Sequence, residues 1–244
     1  MRKLKIPTNL TSLAYKSIKG YILEGRLDED SRLTEEFLSG QLGISKSPIR
    51  EALNRLEAEG LIRIEARRGA YLRSFSNKEV EDLYDVREAL EAHAVRTATV
   101  RPALIKELRS SVKRQRGYLK ANDRTRYIDE DVNFHAAIAR ATGNARLCSI
   151  LENVQNQIWL FRRKTYDLSS SAAPGVHDAL IEALGKDDRD EAEKVMRRHV
   201  SGVRNKLLEH LSQSKGQKRP AEKGGARRLV IANQPSSPEL RQDA

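Results

Sequence analysis

The stretch that decides the fold is Leu42–Gly69, LGISKSPIREALNRLEAEGLIRIEARRG. Ile49, Ala52, Leu53 and Leu56 fall at i, i+3, i+4 and i+7, which gives a helix with one buried stripe. Pro48 suits its first turn, and Ser45 or Ser47 can cap it. Gly60 then ends it as a C′ glycine. Lys46, Arg50 and Asn54 fall off the stripe. The helix therefore has an apolar back and a basic front near its N-terminus, a form the DNA major groove accepts. Leu61, Ile62 and Ile64 follow as a short β-type run. Ala66-Arg67-Arg68-Gly69 offers a turn with a glycine able to take positive φ, and Ala70-Tyr71-Leu72-Arg73 returns as a second strand. Arg67 and Arg68 would stand at the hairpin tip, within reach of phosphate or the minor groove. Taken alone, that hairpin reads equally as a solvated loop with two surface arginines.

Upstream, Leu13, Ile18, Ile22 and Leu23 support a first helix ending at Gly25, and Thr34 can cap a second over Glu35–Leu42 that closes at Gly43. Three short helices and a wing make a winged helix-turn-helix in residues 1–75. Downstream, Ser76 and Glu79 form a capping box, and from there the chain reads as almost pure helix. Helices are expected over about 78–100, 102–122, 125–142 and 145–166, then a loop over 167–175 and a helix over 176–184. Asp188 and Glu191 form a second box that opens a last helix to about Leu211. The fold class is thus mainly α: an N-terminal winged helix-turn-helix with a small β-wing, then an all-helical bundle over 76–212. From 213 to 244 the chain is rich in Lys, Arg, Gly, Pro and Ser and reads as a disordered basic tail.

Net charge is +11 over 244 residues. Residues 1–75 carry 14 basic and 10 acidic side chains, 76–212 carry 24 and 21, and 213–244 carry 7 and 3. The excess is modest everywhere and densest in the tail, which fits a polyanionic partner without requiring one. Cys148 is the one cysteine, so no internal disulfide forms, and its apolar neighbours Leu147 and Ile150 suggest a buried structural thiol. No signal peptide and no membrane-length apolar run is read, so a cytoplasmic protein without membrane contact is expected.

A second constellation lies in the helical part. Asp131 and His135 are i, i+4 on a face that Ile128 and Ile138 mark as inward. His177 shares a stripe with Leu180, Ile181 and Leu184, and His199 with Val195, Met196 and Val203. Four polar groups on three core-facing stripes need partners, because burying them unpaired costs several kcal/mol. Ordinary core hydrogen bonds are one answer. A divalent cation, Zn²⁺ above all but also Ni²⁺ or Mn²⁺, would satisfy all four together. Arg87 and Glu91 are i, i+4 and can pair on the helix surface. Asn156, Arg162 and Arg163 are candidates for lining a pocket.

The segments SLAYKSIKGYILEGRL and RLTEEFLSGQLGISKSPIREALNRLEAEGLIRIEARRGAYL together resemble the N-terminal domain of GntR-type bacterial transcription regulators. The resemblance implies that the second helix supports and the third reads DNA, with contacts from Ser45, Lys46, Ser47 and Arg50 and with Gly69 at the wing tip. Lys46 departs from relatives with arginine, because lysine lacks the planar fork that grips guanine. Glu36 departs from branches with arginine. DVNFHAAIARATGN, HDALIEAL and DEAEKVMRRH resemble the FCD domain of one branch of these regulators, an all-helical ligand-binding bundle. That resemblance implies metal ligation by Asp131, His135, His177 and His199. It also implies an Arg87 that faces the cavity and holds an anionic effector. Val176 stands where relatives often carry an acidic residue. The expected protein is a homodimeric operator-binding repressor tuned by a small carboxylate. A purely structural metal with a larger effector, such as an acyl thioester, is one alternative; a zinc-dependent hydrolase is another. Against the hydrolase, the chain has no HExxH and no Gly-rich phosphate loop.

Overall fold

A computed structural model describes residues 10–25, 27 and 31–215, apart from the side chains of residues 163, 164, 214 and 215. The chain opens with helix α1 (Leu10–Leu23), followed by α2 (Glu35–Leu42) and α3 (Lys46–Ala58). Strands β1 (Ile62–Glu65) and β2 (Gly69–Leu72) pair antiparallel, with Ile62 opposite Leu72 and Glu65 opposite Gly69. Leu33 adds a bridge to Ala70, which ties the wing to the segment leading into α2. Local signals explain these limits. Thr34 Oγ1 accepts from the Phe37 amide, Gly43 closes α2 with φ 65°, and Gly60 turns the chain with φ 72° into β1. Ser45 caps α3 in backbone conformation, without a side-chain hydrogen bond.

Ile18, Ile22, Leu33, Ile49, Ala52, Leu56, Leu61 and Ile62 are buried in one core. Leu13, expected to support α1 from within, is 52% exposed. The stripe runs instead through Ala14, Tyr15, Ile18 and Ile22, which leaves Leu13 to one side. Leu23 leaves this core and packs against a small cluster built around Tyr127, Ile128, Trp159 and Tyr166.

Among the described residues six helices follow: α4 (Asn77–Thr97), α5 (Pro102–Lys120), α6 (Arg124–Arg140), α7 (Ala145–Thr165), α8 (Ala173–Gly185) and α9 (Arg189–Lys215). They share a core that includes Val80, Tyr84, Leu108, Phe134, Ile138, Leu151 and Met196. Cys148 is half-buried at the edge of that core rather than inside it. Three expectations are corrected. The segment 167–175 is shorter as a loop than expected, because a 3-10 turn covers Tyr166–Leu168 and α8 starts at Ala173 with Pro174 in its first turn, where a missing N–H costs nothing. At α9, Asp188 Oδ1 accepts from the Glu191 amide, but the Glu191 carboxylate accepts from Arg198 instead of closing a reciprocal box. That helix also runs past Leu211 to Lys215; the rest of the expected basic tail, 216–244, lies outside the described residues. Among the described residues no helix is long and apolar enough to cross a membrane.

The box at the start of α4 is complete. Ser76 Oγ accepts from the Glu79 amide, and Glu79 Oε2 accepts from the Ser76 amide at 2.8 Å while Oε1 holds Arg73 at 2.6 Å. The Ser76 amide and hydroxyl, with Arg73, hold the Glu79 carboxyl down at about 2. A folded-state value below the unfolded one stabilises above the ordinary carboxylate range and is lost as pH falls. Ser76→Ala is therefore expected to lower unfolding free energy by about 1 kcal/mol near neutral pH. In urea titrations the gap from wild type should shrink as pH falls from 5 towards 2; a pH-independent gap would leave Glu79 out of the cap.

Candidate nucleic-acid interface and metal centre

The α3 face opposite the buried Ile49, Ala52, Leu53 and Leu56 carries Ser45, Lys46, Ser47 and Arg50, all exposed. Two of them are held by the first turn of α2. Arg50 donates from Nε and Nη2 to the two oxygens of Glu35, each at 2.7 Å, and Lys46 Nζ donates to Glu36 Oε1 at 3.0 Å. The hydrogen bond from Arg50 lowers the Glu35 pKa and raises that of Arg50 in turn. The sequence marks Glu36 only as a departure from branches with arginine, and it gives no sign that Glu35 lies within a bond of Arg50. The two are 15 residues apart, and no helical register links them.

Arg67 and Arg68 are exposed in the turn between the strands, with Arg68 Nη1 3.5 Å from Glu65. Arg67 itself takes φ 61°. Gly69 is half-buried and opens β2 instead of standing at the tip. Its φ of 112° and the 2.8 Å from a built Cβ to the Leu33 carbonyl give it a packing role.

In the helical region, α6 supplies Asp131 and His135, α8 His177 and α9 His199. One ligand-type atom from each lies within 4.8 Å of all the others. Their relative exposures are 0%, 1%, 1% and 8%, so His199 is the one nearest solvent. Asp131 Oδ1, His135 Nε2 and His177 Nε2 are buried without a hydrogen-bond partner. Oδ1 lies 3.7 Å from His177 Nε2, and Oδ2 lies 3.9 Å from His135 Nε2. Three sealed donor atoms that converge and are otherwise unsatisfied fit a cation, and the cluster could hold a metal ion.

The surroundings fix these groups. Arg162 Nη1 donates to Asp131 Oδ2 at 2.5 Å, which leaves Oδ1 free. Burial opposes ionisation of Asp131, but Arg162, His135 and His177 outweigh it and hold the carboxyl well below its usual range. The His177 Nδ1–H donates to Gln115 Oε1 at 2.9 Å, which leaves Nε2 with its lone pair. Burial drives His177 well below the usual imidazole value, and burial with the neighbouring His135 ring takes His199 down to about 3. Both rings are therefore neutral, the form that coordinates. His135 Nδ1 sits 2.8 Å from Glu91 Oε2.

Arg87 and Glu91 do pair, at 2.8 Å, but the pair is buried inside the bundle and not on a helix surface. Gln155 also donates to Glu91, at 3.3 Å. Arg87, Gln155, Trp159 and Arg162 line a cavity of about 10 Å³, the space of one water. Asn156 is half-buried outside that lining, and Gln155 takes the place expected for it. Register was the missed signal, since Gln155 stands four after Leu151 and seven before Arg162. Gln115, on the stripe of Leu108 and Val112, was legible the same way. The Arg163 side chain lies outside the described residues. On the other side, His199 reaches a groove of about 150 Å³ that Val176, Arg198 and Lys206 also line.

The chain matches the bacterial regulatory proteins of the gntR family over residues 10–72 and the FCD domain over 82–202. It is 29% identical to the HTH-type transcriptional regulator YdhC of Bacillus subtilis (strain 168), over 86% of this chain and 94% of that protein. It is 28% identical to the gluconate operon transcriptional repressor of Bacillus licheniformis, over 76% and 80%. Among solved structures, Escherichia coli McbR/YncC shares the fold with a TM-score of 0.71 at 21% identity, over 84% of this chain and 98% of that one. The chain belongs to the GntR family of bacterial transcriptional regulators, with an N-terminal winged helix and a C-terminal FCD domain.

Proposed function

We propose that this GntR-family regulator is a cytoplasmic homodimer that represses by binding a roughly palindromic operator, and that a small carboxylate held at a metal site in residues 76–212 modulates it. The observation that carries the sensing part is the set of unpartnered donor atoms on Asp131, His135 and His177, closed by His199. Three imidazoles and a carboxylate suit Zn²⁺ first, then Ni²⁺ or Mn²⁺. A bound cation would give a carboxylate oxygen a Lewis-acidic anchor. Around it, the chain's own residues set the selectivity. Arg198 and Lys206 beside the His199 groove attract an anion, and the buried Arg87 and Arg162 offer it charge-assisted hydrogen bonds. Both buried guanidinium groups are engaged by Glu91 and Asp131, and the cavity between them holds about one water. An effector that uses them must open the bundle, and its differential affinity for the open arrangement is what shifts DNA binding. Repression as the sign is supported by the names of relatives such as the gluconate operon repressor. A sensor is preferred to a zinc hydrolase because both family matches are those of transcription regulators.

On the DNA side, Lys46, Arg50, Ser45 and Ser47 are assigned to the major groove, and Arg67 and Arg68 on the wing to phosphate or the minor groove. A two-fold dimer presents this surface twice to matching half-sites. Arg50→Ala is expected to lower operator affinity at least about tenfold in mobility-shift titrations while the melting temperature stays that of wild type. Retained affinity would remove Arg50 from the reading surface.

The small cavity favours one second reading, in which the metal is structural and a larger ligand binds elsewhere. Metal removal separates the two. Restoring Zn²⁺ to stripped protein at about a hundred times its Kd should raise the melting temperature by about 5–10 °C. Small carboxylates should add a further rise in loaded protein alone. A carboxylate response that survives verified stripping would make the metal structural or absent.

A further inference from the structure

Arg50 and Glu35 meet in a way that leaves a specific part of the guanidinium free. A guanidinium carries five N–H donors: one on Nε and two on each Nη. Glu35 takes the Nε donor and one Nη2 donor, both at 2.7 Å. The far edge, with both Nη1 donors and the second Nη2 donor, remains open, and the Arg50 side chain is 63% exposed. That edge is itself a two-pronged fork of the width that grips guanine O6 and N7. Glu35 sits in the first turn of α2, which is capped at Thr34, so the carboxylate is mounted on a fixed element. The neighbouring pair is built differently. Lys46 meets Glu36 through one bond at 3.0 Å, with Glu36 83% exposed, and an ammonium has no planar edge to aim.

We propose that Glu35 is a positioning residue for base reading: it clamps one edge of Arg50 so that the other edge is presented to guanine in a set orientation. The proposal rests on the assignment of Arg50 to the reading surface. The clamp removes rotamer freedom that a free arginine would lose on docking, and it holds the fork in the plane of a base edge. It also weakens Arg50 as a general phosphate contact, because a neutralised guanidinium is a poorer partner for non-specific backbone binding. Both effects favour discrimination over raw attraction. Glu36 lacks the two-point geometry and acts through charge alone, which makes it the matched control: the same charge, one residue away.

The test uses the full-length chain and a duplex that the wild-type protein selects from a random-sequence pool. Affinities are measured for that duplex, for single guanine replacements within it, and for a scrambled duplex. Glu35→Gln and Glu35→Ala are expected to weaken the selected duplex about tenfold, to leave the scrambled duplex equal or tighter, and to flatten the penalty at one guanine per half-site. Glu36→Gln is expected to tighten both duplexes together and leave the penalties intact. If the Glu35 variants tighten both duplexes in parallel, as Glu36→Gln does, or change neither the affinities nor the guanine penalty, Glu35 does not position Arg50 for reading. Arg50→Ala tests the underlying assignment separately: undiminished binding there overturns that assignment, whereas loss there with neutral Glu35 variants overturns the clamp alone. Glu35→Gln keeps the shape of the half-buried side chain, and a melting curve of each variant excludes unfolding as the cause.

Discussion

Asp131 is a carboxylate with no exposure to water, and the helical bundle is arranged to keep it charged. Taking an ion into a protein interior costs several kcal/mol unless a counter-charge and hydrogen bonds replace its water. Arg162 supplies both on Oδ2 from α7, and Glu91 and Arg87 repeat the arrangement one layer away on α4. With Oδ2 committed to Arg162, Oδ1 is left aimed at the imidazoles of α6, α8 and α9. The same ion pair that makes the buried charge tolerable thus leaves Oδ1 among a donor set that could hold a metal ion.

Helix α7 joins this polar layer to the winged helix. One of its faces brings Gln155, Trp159 and Arg162 to the small cavity. Leu160 packs against the core that holds α1, α2 and α3, and Gln157 lies close enough to Gly60 that a Cβ there would stand 3.0 Å from its amide carbon. Trp159 and Ile128 line the cavity and also belong to the cluster on which Leu23 of α1 rests. Interiors are packed too densely to absorb an added molecule in place. Enlarging the cavity means moving lining side chains, and neither Trp159 nor Ile128 can move without disturbing the cluster against which Leu23 packs.

Much of this was legible in the sequence because it depends on short-range periodicity. The stripe of α3, the glycines at 43 and 60, and the box at Ser76 are each set within a few residues, and helix limits followed. The four metal-type residues were legible for a related reason. Each sits on the apolar stripe of its own helix, and polar groups on core-facing stripes must converge or be paired. What periodicity does not encode is which element faces which. Glu35 with Arg50, Arg162 with Asp131 and Gln115 with His177 are partners from different helices, and no spacing along the chain announces them. That Gln155 and not its neighbour Asn156 lines the small cavity is a matter of register, since one helical step turns a side chain by about 100°. Pro174 was read as a loop residue although proline is also at home in a first helical turn, and the two readings differ by only three residues of chain.

Charge on the winged-helix region fits the proposal that the α3 face favours discrimination over raw attraction. Residues 1–75 carry a net charge of +4, and of the basic side chains at the front of α3, Lys46 and Arg50 each meet an α2 carboxylate. Each cation that neutralises a phosphate adds about 0.9 to the steepness with which affinity falls with salt. A surface built for attraction alone would leave its cations unpaired and its α2 carboxylates absent. Exposed ion pairs are worth about 0–1 kcal/mol to the fold, so stability gives little reason to retain them. On the proposed reading surface their effect would fall on binding instead: they would subtract from the sequence-independent share and, at Arg50, set the direction of the donors that remain. If Arg50 reads base edges as proposed, pairing at this face shifts the balance of binding from sequence-independent attraction towards matched base edges.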